Sequence, residues 1–198
     1  KYLEYLMMIS LQCLYHQMQG RMLPGHMIRT GIIEDYWRFI MKLTIVSNYI
    51  NHHQIPVSTV LYEKLGSQYH FIQTERMAQE RIAMGWGAQL SALPYVKCWY
   101  EEPELCRRLV MESDIVIFGG VEDERYIQER LLSGKPVIRY SERLYREGQW
   151  KAVSPRGLLK KYHDHTRYRN QEVYLLCSGA YVASDFHIVH AYPEKMYK

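Results

Sequence analysis

Long apolar runs are missing from this sequence. A bilayer-spanning helix needs about 20 consecutive apolar residues, and no stretch provides them. The nearest, Leu3–Tyr15, is interrupted by Gln12 and followed by His16 and Gln17. It lacks the clean apolar region and small-residue cleavage site of a signal peptide, so secretion is not expected. No N-x-S/T glycosylation acceptor is present either. Cysteine is scarce: Cys13, Cys98, Cys106 and Cys177 are far apart and form no C-x-x-C pair. That excludes a disulfide framework, and reduced, largely buried thiols in the cytosol are expected. Phenylalanine is scarce as well, with 4 against 18 tyrosines, so most rings carry a polar handle. An excess of one charge is also lacking. The net charge is +4, with acids and bases interleaved until a basic segment at Arg139–Arg169. A local anion site is the expectation there, and no nucleic-acid surface, because no basic stripe runs along the chain.

The usual nucleotide and hydrolase fingerprints are absent. No G-x-G-x-x-G follows the first strand, which argues against classical NAD or FAD binding. No G-x-x-x-x-G-K-[ST], H-E-x-x-H or G-x-S-x-G occurs. No D-x-D is available to carry a metal with a nucleotide diphosphate. The acidic run Glu122-Asp123-Glu124 follows a Gly-Gly turn and reads as an acidic first helical turn.

What is present is a regular alternation that begins at Met41. Lys42–Ser47 is apolar and β-branched, as a buried strand should be. A polar loop, Asn48–Gln54, follows. Pro56 then opens an amphipathic helix that Gly66 stops. Further strands are expected at Tyr69–Thr74, Tyr95–Tyr100, Asp114–Phe118, Lys135–Tyr140 and Val173–Cys177. Helices are expected from Pro103, around Tyr126–Leu131, over Leu158–Arg169 and over Ala180–Ala191, and Glu75–Pro94 reads as a loop. The fold class is therefore α/β: a Rossmann-like parallel sheet with helices on both faces. With 198 residues, 47% of them hydrophobic, one sizeable core is available. Residues 1–40 show no such alternation. Upstream sequence read through and a helical extension packed on the domain both stay open for them. Residues 41–198 are expected to fold without them.

In open α/β sheets, ligands sit beyond the carboxyl ends of the strands, so the loops there supply the candidates. In the first loop these are Asn48, Asn51, His52, His53 and Gln54. The adjacent histidines can point apart, so one need face a ligand; it would bind or deprotonate a hydroxyl, and a surface pair is the plainer alternative. Arg139 is read as closing a buried strand, where it needs a partner. It could clamp a phosphate or carboxylate, with Glu142 orienting it or meeting a sugar hydroxyl and Arg143 adjacent. An internal Arg–Glu pair tying loop to helix is the alternative. Ser154–Asn170 adds Arg156, His163 and Arg167 as donors; a solvated helix face would look the same. His163-Asp164-His165 is poor metal spacing, and no metal is expected.

Several segments together carry a resemblance. SNYINHHQIPVS (Ser47–Ser58), FIQTERM (Phe71–Met77), MGW (Met84–Trp86), RYSERLY (Arg139–Tyr145), SPRGLL (Ser154–Leu159), DHTRYRN (Asp164–Asn170) and SGAYVASDF (Ser178–Phe186) resemble the N-terminal half of bacterial GT-B glycosyltransferases. The nearest likeness is to family 4-type enzymes of surface polysaccharide synthesis. The resemblance covers Met41 to Lys198. It implies one half of a GT-B fold, the acceptor-side domain, with the donor domain that would follow in cis missing from this chain. It implies cytoplasmic transfer, at the inner membrane face in some relatives, of a sugar from a nucleotide-sugar donor to a saccharide or lipid-linked acceptor, retaining and without metal or other cofactor. The catalytic expectation is Arg139, Glu142 and at least one of His52 and His53, and the chain alone is expected to transfer no sugar. Where many relatives carry a glycine pair in the first loop, this chain has Asn48–Gln54. Two alternatives stay open: a nucleotide-sugar 2-epimerase of the same fold, and a non-catalytic Rossmann-like binding module.

Overall fold

The computed structural model describes residues 41–86, 93–145 and 154–197. The readings for residues 1–40, Cys13 among them, fall outside these. Among the described residues, seven parallel strands form one open sheet in the order β3-β2-β1-β4-β5-β6-β7. They are β1 (Leu43–Ser47), β2 (Tyr69–Gln73), β3 (Val96–Cys98), β4 (Ile115–Phe118), β5 (Val137–Ser141), β6 (Val173–Cys177) and β7 (Met196–Tyr197). The helices between them are α1 (Ile55–Leu65), α2 (Gln79–Ala83), α3 (Pro103–Glu112), α4 (Gln128–Leu132), α5 (Pro155–Thr166) and α6 (Val182–Ile188). The expected α/β, Rossmann-like class is what the chain adopts. Two compact units make it up, the first closing at Ile115 and the second opening at Val116.

In the first unit, β1 pairs with β2 from Leu43↔Tyr69 to Ser47↔Gln73, and β2 pairs with β3. β1 and β2 are buried at four of their five positions each, as parallel strands covered on both faces are. Leu43, Val46, Phe71 and Ile72 are fully buried, and burying such a side chain is worth about 1.5–3 kcal/mol. Two pairs of hydroxyls within this core are matched. The Thr44 and Ser113 hydroxyls lie 2.7 Å apart, and Tyr69 donates to Ser58 Oγ at 2.8 Å. Both long helices start with proline in the first turn, where no intrahelical N–H bond is lost. In α3, Cys106 and Val110 share the buried face at a spacing of one turn.

In the second unit β5 is flanked by β4 and β6, with Ile138 opposite both Ile117 and Tyr174. Gly119 ends β4 because nothing larger fits: a Cβ there would stand 2.8 Å from the Tyr140 carbonyl oxygen. Gly120 follows at φ +75°, turning the chain into a short 3-10 turn, Glu124–Tyr126, capped by Asp123. Ser154 caps α5 by accepting from the Gly157 amide.

Several boundaries differ from expectation. Glu75–Pro94 holds the short helix α2. The fifth strand is shifted to Val137–Ser141, so Arg139 is its central residue rather than its last. The closing helix is only Val182–Ile188, because His190, Tyr192 and Glu194 all take positive φ, which no helix accommodates. That irregular stretch leads into β7, a strand with too few residues to be read from pattern. Among the described residues, Cys106 and Cys177 are buried free thiols and Cys98 is half-buried.

Candidate functional site

The second unit carries an open groove of about 370 Å³ lined by Glu142, Arg143, Ser178, Gly179, Ala180, Tyr181 and Val182. These residues follow β5 and β6 directly. Two parallel strands therefore deliver one wall each, and the Ser178 amide donates to the Ser141 carbonyl at 3.1 Å to hold the walls in register. Glu142 is exposed beside the groove. Tyr181 presents a ring that is 69% exposed, against which the Arg143 guanidinium carbon lies 5.5 Å from the centroid. Carboxylate, serine hydroxyl and aromatic face are the groups that a hydroxylated ring with an apolar side would use. The volume falls within the range of small-ligand sites, roughly 300–1,000 Å³.

Arg143 is positioned from below. Its Nε and Nη2 donate to the two oxygens of Asp185, each at 3.1 Å, and the Tyr145 amide donates to the same carboxylate at 3.2 Å. Asp185 is fully buried, so its charge requires this fork. The hydrogen bond to Asp185 raises the pKa of Arg143 above its ordinary value. Arg143, expected to bind substrate, thus first anchors the loop to α6.

Arg139 lies elsewhere. Its guanidinium is bonded to Glu124, and Arg167 closes on the other oxygen of the same carboxylate. The carboxylate on Arg139 is therefore that of Glu124, not Glu142. A strand residue with β-periodicity on both sides of it cannot reach the loop beyond its own strand end, whereas Glu124 hangs from the neighbouring strand's loop. Beside this cluster is a small cavity of about 30 Å³ lined by residues including Arg139, His165, Tyr168 and Tyr192. His165 contacts the Tyr192 hydroxyl at 3.1 Å and the Phe186 ring edge at 4.9 Å. Burial, reinforced by the Arg139 charge, pulls its pKa down to about 4, so it is neutral at neutral pH. The sequence offered no signal for Glu124 or Asp185, because their partners are 15 and 42 residues away.

In the first unit the loop after β1 is largely self-bonded. Asn48 Oδ1 accepts from the Tyr49 amide at 2.8 Å, and Asn51 Oδ1 from the His53 amide at 2.9 Å. Gln54 Oε1 accepts from the Asn51 amide at 3.1 Å. The three amides proposed for substrate therefore shape the loop. The histidines do not point apart: their rings are 3.8 Å apart, and His52 meets the Trp86 ring edge-on at 4.8 Å. Arg81 stacks over both Trp86 and Tyr49. Both histidines are exposed.

The remaining candidates are on α5. Arg156 is exposed in its first turn. His163 is also exposed, 3.6 Å from Asp164, which Lys160 holds at 2.7 Å; that bond keeps the Asp164 carboxyl below the usual range. Among the described residues, no three His, Cys, Asp or Glu side chains are grouped as metal ligands, and no helix is long and apolar enough to cross a membrane.

No family of known proteins, no curated protein and no solved structure matches this chain.

Proposed function

We infer that this chain is the acceptor-side α/β domain of a glycosyltransferase that uses a nucleotide-sugar donor, with the Glu142–Tyr181 groove holding a saccharide. The observation that carries the reading is the groove itself. It opens where β5 and β6 end, its volume suits one or two sugar rings, and it combines an exposed aromatic face with a carboxylate and a hydroxyl. Aromatic rings take the apolar face of a sugar, and carboxylates accept from its hydroxyls. The segments SGAYVASDF and RYSERLY, which carry much of the resemblance to GT-B enzymes, are the ones that line it. In this reading Glu142 meets a hydroxyl of the acceptor, and Arg143 holds the loop while facing the ligand. In the first unit, the exposed His52 and His53 beside the half-buried Trp86 offer polar and aromatic groups of the same kind.

The test is ligand-observed NMR with a panel of neutral oligosaccharides and nucleotide-sugars, followed by titration of the best binder. Glu142→Gln and Tyr181→Ala should each weaken binding about tenfold, the loss of one hydrogen bond to a charged group or one stacking contact, in variants that still melt cooperatively. Binding that survives both substitutions, or no saturable binding across the panel, would overturn the assignment.

A further inference from the structure

Arg143 is fixed more firmly than anchoring its loop requires. The Tyr145 amide already ties that loop to Asp185. Asp185 is fully buried, and dehydrating a carboxylate is costly even when it is paired. The guanidinium meets it side-on, through Nε and Nη2 at 3.1 Å each. Arginine carries its N–H donors in a planar fork. Side-on pairing sets the plane of that fork and leaves its end, Nη1 and the second Nη2 hydrogen, turned away from Asp185. Among the described residues, no acceptor meets this end. The side chain is 33% exposed and lines the groove. Its guanidinium carbon is 5.5 Å from the centre of the exposed Tyr181 ring. Gly179 leaves the groove open beside it, since a Cβ there would meet no atom within 4 Å.

We propose that the ligand of this groove is an acidic sugar, a hexuronic acid alone or within a glycan, whose carboxylate is bound by the outward end of the Arg143 guanidinium. This rests on the saccharide reading of the groove and narrows it. The end of the fork offers two parallel N–H groups that match the two oxygens of a carboxylate. Because Asp185 already sets the plane, the side chain loses little freedom when the ligand arrives. The sugar ring packs on Tyr181, and its carboxylate, one bond off the ring, turns to the neighbouring Arg143. Glu142 sharpens the choice. Its exposed carboxylate accepts from ring hydroxyls at the other end of the ligand and repels further negative charge. A carboxylate carries one charge and a phosphate ester about two, so the groove favours a uronic acid over a sugar phosphate.

Ligand-observed NMR titrations at fixed ionic strength, comparing glucose with glucuronate and galactose with galacturonate, test the assignment. Each acid should bind about tenfold or more tightly than its neutral partner, as a charge-assisted two-point contact provides. Arg143→Lys keeps a cation against Asp185 but has no second edge to offer. It should bring the ratio of acidic to neutral affinity down to about one. Should that variant fail to fold, Arg143→Gln combined with Asp185→Asn, which buries no charge, makes the same comparison. Gly179→Leu places a side chain in the groove where the fold leaves room and should abolish binding of both members of each pair. A ratio of about one in the parent overturns the acidic-sugar assignment and leaves the saccharide reading standing. If neither the acids nor the neutral sugars bind, the saccharide reading falls as well. A preference that survives Arg143→Lys overturns the role of Arg143, and binding that survives Gly179→Leu overturns the location. Glucose 6-phosphate binding as tightly as glucuronate overturns the choice of a carboxylate, and acetate binding as tightly overturns the choice of a sugar.

Discussion

Acidification should weaken this fold through His165, and the size of the effect follows from where the ring sits. Its ordinary pKa is 6.5, and burial beside Arg139 lowers it to about 4 in the folded protein. The sign is that of a depressed histidine. The unfolded chain takes up a proton near pH 6.5, and the folded chain resists until about pH 4. Stability from this group is complete above pH 6.5, falls as pH drops through the window from 6.5 to 4, and levels off below it. A difference of this size, at 1.36 kcal/mol per pKa unit, sets a ceiling of about 3 kcal/mol. The ring keeps a solvated edge, so about 2 kcal/mol is expected. Against a total of 5–15 kcal/mol for a domain, that is enough to move the melting temperature by several degrees. The measurement is urea unfolding at half-unit pH steps from 4 to 7.5, on the parent and on His165→Gln. Glutamine keeps a polar partner for the Tyr192 hydroxyl and removes the titration. Subtracting one curve from the other cancels the carboxylates, which titrate in both. The difference should grow by about 2 kcal/mol across the window. Parallel curves, or an NMR titration that places His165 near 6.5, would refute the reasoning and mean that water reaches the ring freely.

Two further substitutions probe the second unit. Asp185→Ala removes the acceptor of three hydrogen bonds at a fully buried position and should cost about 3 kcal/mol in chemical denaturation; a loss under 1 kcal/mol would mean that the Arg143 loop is held by other contacts. Gly119→Ala forces a Cβ to within 2.8 Å of the Tyr140 carbonyl oxygen and should destabilise by roughly 1–3 kcal/mol, as overpacking does. Because this obstacle is backbone, which cannot swing aside, a neutral result would show that β4 and β5 part more easily than their pairing implies.

Much of the architecture was legible in the sequence alone. Ile115–Phe118 is four consecutive apolar residues between a polar start and a Gly-Gly stop, and such a run has few solutions other than a buried parallel strand. Pro56, Pro103 and Pro155 mark helix starts because, within a helix, proline's fixed φ and missing N–H suit only the first turn. Those signals are local, and local chemistry decided them. The loop after β1 was recognisable as polar for the same reason. Less visible were α2 and β7, whose 5 and 2 residues are too few for any period to show.

The pairings of charge were settled by tertiary structure. Arg139, Glu142 and Arg143 are near neighbours in the chain, and sequence adjacency suggested that they serve one another. The β-pleat sends Arg139 to one face, where Glu124 and Arg167 meet it, and the loop sends Arg143 to Asp185 on α6. A buried charge takes whichever opposite charge the fold brings within about 3 Å, and the fold draws that partner from any distance along the chain. The same holds for His165, whose ring reads as one more basic residue in a charged helix until burial removes its charge. Composition and period determine where the chain turns and which side is apolar. Which ionisable groups are dehydrated together, and therefore which can hold a ligand or a proton, depends on three-dimensional distance, and that was decided only when the strands closed.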